Sequence, residues 1–156
     1  MKQILNKEEA KNITENLKQK GKKIVFTNGC FDILHVGHTR YLKESAKQGD
    51  ILIVGLNSDS SVKKLKGDTR PINNESDRAE LLCELKFVDY VVIFDENTPE
   101  KLLDELKPNI YTKGADYTLE TLPEAKTVIK NGGEVKFINL IQGKSTTNVI
   151  KKIEKK

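Results

Sequence analysis

The stretch Lys23-Ile24-Val25-Phe26-Thr27-Asn28-Gly29-Cys30-Phe31-Asp32-Ile33-Leu34-His35-Val36-Gly37-His38 opens as a buried strand and closes as the first turn of a helix. Its start is rich in Ile, Val and Phe, its middle is a polar turn around Gly29, and beyond it Tyr41, Leu42 and Ser45 fall on one helical face. A strand passing through a tight turn into a helix is half of a βαβ unit. Working outward, short apolar runs recur at 51–57, 90–94, 109–113 and 135–140, beside 23–28. Between them Ala10/Ile13/Leu17, Leu81/Leu82/Leu85 and Leu102/Leu103/Leu106 repeat at helical spacing. This alternation predicts an α/β fold: a Rossmann-like open parallel sheet of five strands with helices on both faces.

The finer signals place punctuation. Residues 1–21, with Ile4, Leu5, Ala10, Ile13 and Leu17, read as an N-terminal helix added to a core over 22–153, all within a single domain over 1–156. Thr98 reads as a cap behind Pro99 at the first helical position, Asn131-Gly132-Gly133 as a helix stop, and Ser145-Thr146-Thr147 as the opening of the last helix. In such a sheet ligands bind beyond the carboxyl ends of the strands, which directs attention to loops 28–38, 57–71, 95–99, 113–117 and 142–148.

Composition excludes several classes. The chain has 156 residues, 27 Lys+Arg against 23 Asp+Glu and a formal charge of +4, so its surface is highly charged but nearly balanced. No basic stretch is interleaved with aromatic residues, which argues against nucleic acid as a partner. No apolar run approaches the ~18 residues of a membrane helix. Cys30 and Cys83 are too few for a disulfide scaffold, so a reducing, cytoplasmic setting is expected.

His35 and His38 are the chain's two histidines, and they flank Gly37 at the start of a helix. Unpaired N–H groups and the positive end of the dipole make that position an anion site, and two imidazoles there can reach the same phosphoryl group. A zinc site is the competing reading, but it lacks a third ligand at metal-site spacing, and a dinucleotide loop lacks its three glycines.

The pattern Phe31-Asp32-(x)2-His35-x-Gly37-His38, with Asn28-Gly29-Cys30 before it, resembles the signature of the nucleotidylyltransferase superfamily. Asn57-Ser58-Asp59, Lys64-Leu65-Lys66-Gly67, Arg70-Pro71, Arg78, Lys113-Gly114-Ala115-Asp116-Tyr117 and Gly143-Lys144-Ser145-Thr146-Thr147 extend the likeness to its heptose-1-phosphate adenylyltransferase branch. That branch occurs either as a free-standing protein or fused to a sugar kinase. The resemblance implies transfer of a nucleotidyl group from ATP with Mg²⁺ to D-glycero-D-manno-heptose 1-phosphate, releasing pyrophosphate. A homodimer and a metabolic link to a sugar kinase are also implied.

In those terms His35, His38, Lys64 and Lys66 are the catalytic candidates. Asn28, Gly29, Cys30, Phe31, Gly37, Lys113, Gly114, Asp116, Ser145, Thr146 and Thr147 would bind the nucleotide. Asp32, Asn57, Asp59, Arg70 and Arg78 would hold the acceptor, with Asp32 an alternative contact to the metal. Each residue also has an ordinary reading: Lys64 and Lys66 as a solvated pair, Asp59 and Asp116 as turn formers, Arg78 as a helix-surface ion pair, one hydroxyl of 145–147 as a simple cap. Two departures stand out. Ala115 replaces a glycine usual in the branch, and Leu140 stands where glycerol-phosphate cytidylyltransferases carry arginine, which argues against that activity. A guanylyltransferase and a nucleotide-binding module without turnover are the remaining alternatives.

Overall fold

The computed structural model describes residues 3–139 and 145–155. Six strands form one all-parallel sheet: β1 (Ile4–Leu5), β2 (Ile24–Gly29), β3 (Ile51–Asn57), β4 (Tyr90–Phe94), β5 (Ile110–Gly114) and β6 (Glu134–Ile138), in the order β1-β4-β3-β2-β5-β6. The helices are α1 (Lys7–Gln19), α2 (Val36–Ala46), α3 (Asp59–Lys66), α4 (Glu75–Cys83), α5 (Glu100–Leu106), α6 (Ala125–Lys130) and α7 (Thr146–Glu154). The α/β class, the parallel sheet and the flanking helices are as expected.

The central strands are buried on both faces, which is why they read as continuous apolar runs. Alternate residues feed two cores. Ile24, Phe26, Ile53, Val92, Phe94 and Tyr111 pack on one side with Leu102, Leu103, Leu106, Ala125 and Val128. Val25, Leu52, Val54, Leu56, Val91 and Ile110 pack on the other with Leu42, Ala79 and Leu82. Gly55 sits where a Cβ would lie 2.5 Å from the Phe26 ring, so the middle of β3 has no room for a side chain there.

Several local readings are corrected. The sheet has a sixth strand: Ile4 and Leu5 pair with Val91 and Val92 instead of joining the first helix, which starts only after Asn6. Asn6 and Glu9 form a reciprocal capping box that fixes this start. A two-residue strand is too short to show a period, so only its partner β4 reveals it. The segment 57–71 is not a plain loop, because Ser58 caps Ser61 and α3 runs to Lys66, where Gly67 at φ +103° stops it. Pro99 occupies the cap position itself, and no side chain caps α5. The end of α6 is as read, with Asn131 capping and Gly132 at φ +83°. The last strand spans 134–138 where 135–140 was expected, and Leu140 lies outside the described residues.

The strand order reverses at β2, with β3 and β4 to one side and β5 and β6 to the other. The register of β2 with β3 covers six pairs, from Ile24↔Ile51 to Gly29↔Leu56. That of β2 with β5 covers only Val25↔Ile110 and Phe26↔Tyr111. The carboxyl ends of β2 and β5 therefore part, and a cleft opens at the reversal point, where ligands of open α/β sheets bind.

Candidate active site

The cleft has a volume of about 640 Å³ and is lined from loops that follow five of the strands. The turn after β2 forms its floor. Phe31 takes φ +46°, a left-handed conformation that costs an aromatic residue energy and is held here by burial. The turn sets the Phe31 ring edge-on to His38, with centroids 5.2 Å apart, and sends Asp32 inward to 1% exposure.

His35 is the cap of α2. Its Nδ1 accepts from the Gly37 N–H at 3.0 Å, and the His38 Nδ1 accepts from the His35 N–H at a long 3.4 Å. Both rings thus carry their proton on Nε2 in the neutral tautomer those bonds require. The imidazoles stack at 3.9 Å between centroids, and both line the cleft. Burial, reinforced by His35, lowers the His38 pKa to about 4. A neutral imidazole donating from Nε2 at a helix N-terminus can bond an anion without first being charged.

The structure brings many of the expected residues to this cleft. Asn28, Gly29, Cys30, Phe31 and Gly37 line it from the β2–α2 turn, and Lys66 and Arg70 from the segment after β3. Lys113, Gly114 and Asp116 line it after β5, and Ser145, Thr146 and Thr147 at the start of α7. Burial lowers the Lys113 pKa against the opposing charges of Glu124 and Asp116, and its ammonium stands 5.1 Å above the Tyr117 ring. Burial pushes the Cys30 thiol up, so it stays protonated.

Other expectations are corrected. Lys64 is exposed and absent from the cleft wall, because a helix turns residues two apart to different faces and only Lys66 and its neighbour Leu65 reach the cleft. Arg78 is 1% exposed and its guanidinium is spent on the protein: Nε donates to Asn73 O, Nη1 to Cys30 O and Asn57 O, and Nη2 to the Asp59 carboxyl. It holds three loops together and has no face for a substrate. Asp59 is taken by the same pair and lies outside the cleft wall.

Asp32 lines the cleft, but its carboxyl accepts from Arg70 Nε at 2.7 Å and from the Ile72 and Asn73 amides. Burial opposes its ionisation, yet the two amides and Arg70 outweigh it and hold the pKa below the ordinary value. Both oxygens are occupied, so Asp32 fits an anchor for the loop carrying Arg70 better than a contact to acceptor or metal. Among the described residues no cluster of His, Cys, Asp and Glu fits a metal. Asn57 lines the cleft while its amide donates to Ser61.

At α7, Ser145 caps the Asn148 amide and Thr146 Oγ1 donates to Ile33 O, tying this helix to the histidine turn. Two of the three hydroxyls thus have internal work, and Gly143 and Lys144 lie outside the described residues.

Sequence reasoning misses Tyr41, Leu122 and Glu124, all in the cleft wall. Helical spacing marks Tyr41 as a core position of α2. Its hydroxyl in fact joins Thr27 at 2.8 Å and Thr112 at 3.4 Å beneath the cleft. Nothing in the spacing of Thr121-Leu122-Pro123-Glu124 marks it as a wall.

An open parallel sheet whose reversal point is capped by paired neutral imidazoles, cations and two helix N-termini defines an α/β protein built to hold phosphorylated ligands. The chain belongs to the cytidylyltransferase-like family, whose sequence profile matches residues 26–152. It is 54% identical over 149 residues to the bifunctional protein HldE of Aliarcobacter butzleri, covering 94% of this chain but only 30% of that one. The chain thus spans under a third of the length of such relatives. The crystal structure of the lipopolysaccharide core biosynthesis protein from Thermoplasma volcanium is 37% identical with a TM-score of 0.65, covering 78% of this chain and 98% of that one. Pantoate-beta-alanine ligase from Francisella tularensis, complexed with beta-gamma ATP and beta-alanine, shares the fold at a TM-score of 0.63 and 16% identity, over 100% of this chain and 80% of its own.

Proposed function

We propose that the chain transfers an adenylyl group from MgATP to a sugar 1-phosphate, D-glycero-D-manno-heptose 1-phosphate, releasing pyrophosphate and forming an ADP-heptose. The stacked pair His35–His38 at the α2 N-terminus carries this reading. Family membership and the likeness to a lipopolysaccharide core biosynthesis protein support it.

A phosphate oxygen of the acceptor attacks the α-phosphorus. The new P–O bond forms as the bond to the β-phosphate oxygen breaks, and pyrophosphate leaves with that electron pair. The acceptor oxygen is already ionised at neutral pH, so no protein nucleophile is required, and the protonated Cys30 accords with direct transfer. The chain's work is positioning and charge stabilisation. His35 and His38 donate to the α-phosphate as its charge grows, Lys66 and Arg70 offset negative charge from the β3 side, and the α7 N-terminus with Ser145 and Thr147 cradles the outer phosphates. Lys113, Gly114 and Asp116 hold the nucleoside on the β5 side. Mg²⁺ enters as the counter-ion of the triphosphate, and no step is assigned to a metal held by the protein.

The described residues include no helix long and apolar enough to cross a membrane, in keeping with work in the cytoplasm on small-molecule substrates. The bifunctional nature of the longer relatives supports a link to a sugar kinase, and we propose that the catalytic unit is a homodimer.

The test is pyrophosphate release from ATP, CTP, GTP and UTP, each against both anomers of heptose 1-phosphate and against glycerol 3-phosphate, with Mg²⁺. One dominant ATP–heptose combination is expected. Turnover with CTP and glycerol phosphate would move the chain to another branch, and silence throughout with nucleotide still bound would make it a binding module.

A further inference from the structure

The mechanism leaves one buried acid without a task. Glu124 is 6% exposed, opens α6 and lines the cleft. A carboxylate buried at this level is costly unless hydrogen bonds replace its water. Its Oε1 receives the Tyr111 hydroxyl at 3.0 Å, and its other oxygen has no hydrogen-bond partner among the described residues.

The Tyr111 hydroxyl also lies 2.5 Å from Asn28 Oδ1 as placed, and a phenol has only one proton for two acceptors. The amide orientation that satisfies all three groups has Asn28 Nδ2 donating to the phenol and the phenol donating to Glu124. The carboxyl is thereby fixed from below by β5 and β2, with its second oxygen left for the cleft.

Sheet order tells what can meet that oxygen. Lys66 and Arg70 come from the β3 side of β2, whereas Asp116 and Glu124 come from the β5 side, where Lys113 is the balancing cation. Two acids around one lysine repel phosphate, so the part of the ligand on this side is its uncharged, donor-bearing part. A carboxylate accepts well from hydroxyl groups.

We propose that Glu124 is a substrate-binding residue that accepts a hydrogen bond from a ribose hydroxyl of the nucleotide. This rests on the placement of the nucleoside on the β5 side given above. Glu124→Gln is the discriminating variant, since Gln can still accept from Tyr111 while turning an N–H donor toward the cleft.

The measurement is calorimetric binding of MgATP and its 2′-deoxy and 3′-deoxy analogues to the full chain, wild type and E124Q, together with KM for both substrates. The wild type should prefer ATP over at least one deoxy analogue by on the order of 10- to 100-fold, and E124Q should erase the preference by weakening ATP. The wild-type comparison needs no variant, so a misfolded E124Q leaves the proposal open to refutation. Equal wild-type affinity for all three nucleotides overturns it, as does an unchanged preference in folded E124Q or an effect confined to the KM of the sugar phosphate. A wild type that binds no nucleotide refutes the functional reading itself.

Discussion

His38 shows how one side chain's surroundings set its chemistry. Buried against Phe31 and stacked on His35, it titrates at about 4 where a free imidazole titrates near 6.5. Between those values the unfolded chain takes up a proton that the folded ring refuses. Its contribution to stability is therefore complete above about pH 6.5 and lost as pH falls towards 4, by at most about 3 kcal/mol at ~1.4 kcal/mol per unit. Denaturant midpoints of the wild type at pH 4.5 and 7 should differ by more than those of His38→Asn. In the pyrophosphate assay His38→Ala should lose about 10²–10³ of turnover, the usual cost of one electrostatic contact to a developing anion. Near-full turnover in that variant would remove the imidazole from the mechanism. The histidine pair is legible in the sequence because its signal is local, four residues on one helical turn. Asp32 misleads for the opposite reason: its partners Arg70, Ile72 and Asn73 lie about forty positions away.

The loops around the cleft behave as elements because buried ion pairs tie them together. Arg78 of α4 joins the turn after β2 through Cys30, the start of α3 through Asn57 and Asp59, and the α3–α4 connection through Asn73. Asp32 binds the same connection from the other side. Replacing Arg78 by Lys keeps the charge but cannot reproduce a planar fork that reaches four acceptors. It should cost about 2–4 kcal/mol in chemical unfolding and speed hydrogen exchange at the Ile72 and Asn73 amides. Unaltered exchange there would show that the loops stand without it. From sequence Arg78 looks like a ligand for phosphate, since a helical arginine near glycine-rich loops has the same spacing whether it faces in or out. Lys64 and Lys66 likewise look like one pair until the cap at Ser58 makes their segment a helix.

Across the whole molecule, the cleft draws on loops from both sides of β2, so ligand binding braces the sheet's two halves against each other. A nucleotide at 100 times its Kd should stabilise the fold by ~2.7 kcal/mol, a rise in Tm of about 5–10 °C for a chain of this size. Thermal scans with each Mg-nucleotide check this, and the absence of any shift would deny the cleft a nucleotide. Strand identity, parallel class and the phosphate-binding turn were written in the sequence because they rest on periodicity and on contacts within one turn of chain, as with Ile24–Gly29 entering His35–His38. The sixth strand, the split between β2 and β5, the burial of Arg78 and the exposure of the Glu124 carboxyl to the cleft were decided only by tertiary structure. Each depends on partners tens of residues apart, such as Leu5 on Val92 or Tyr111 on Asn28, and no local pattern records which distant groups will meet when the sheet closes.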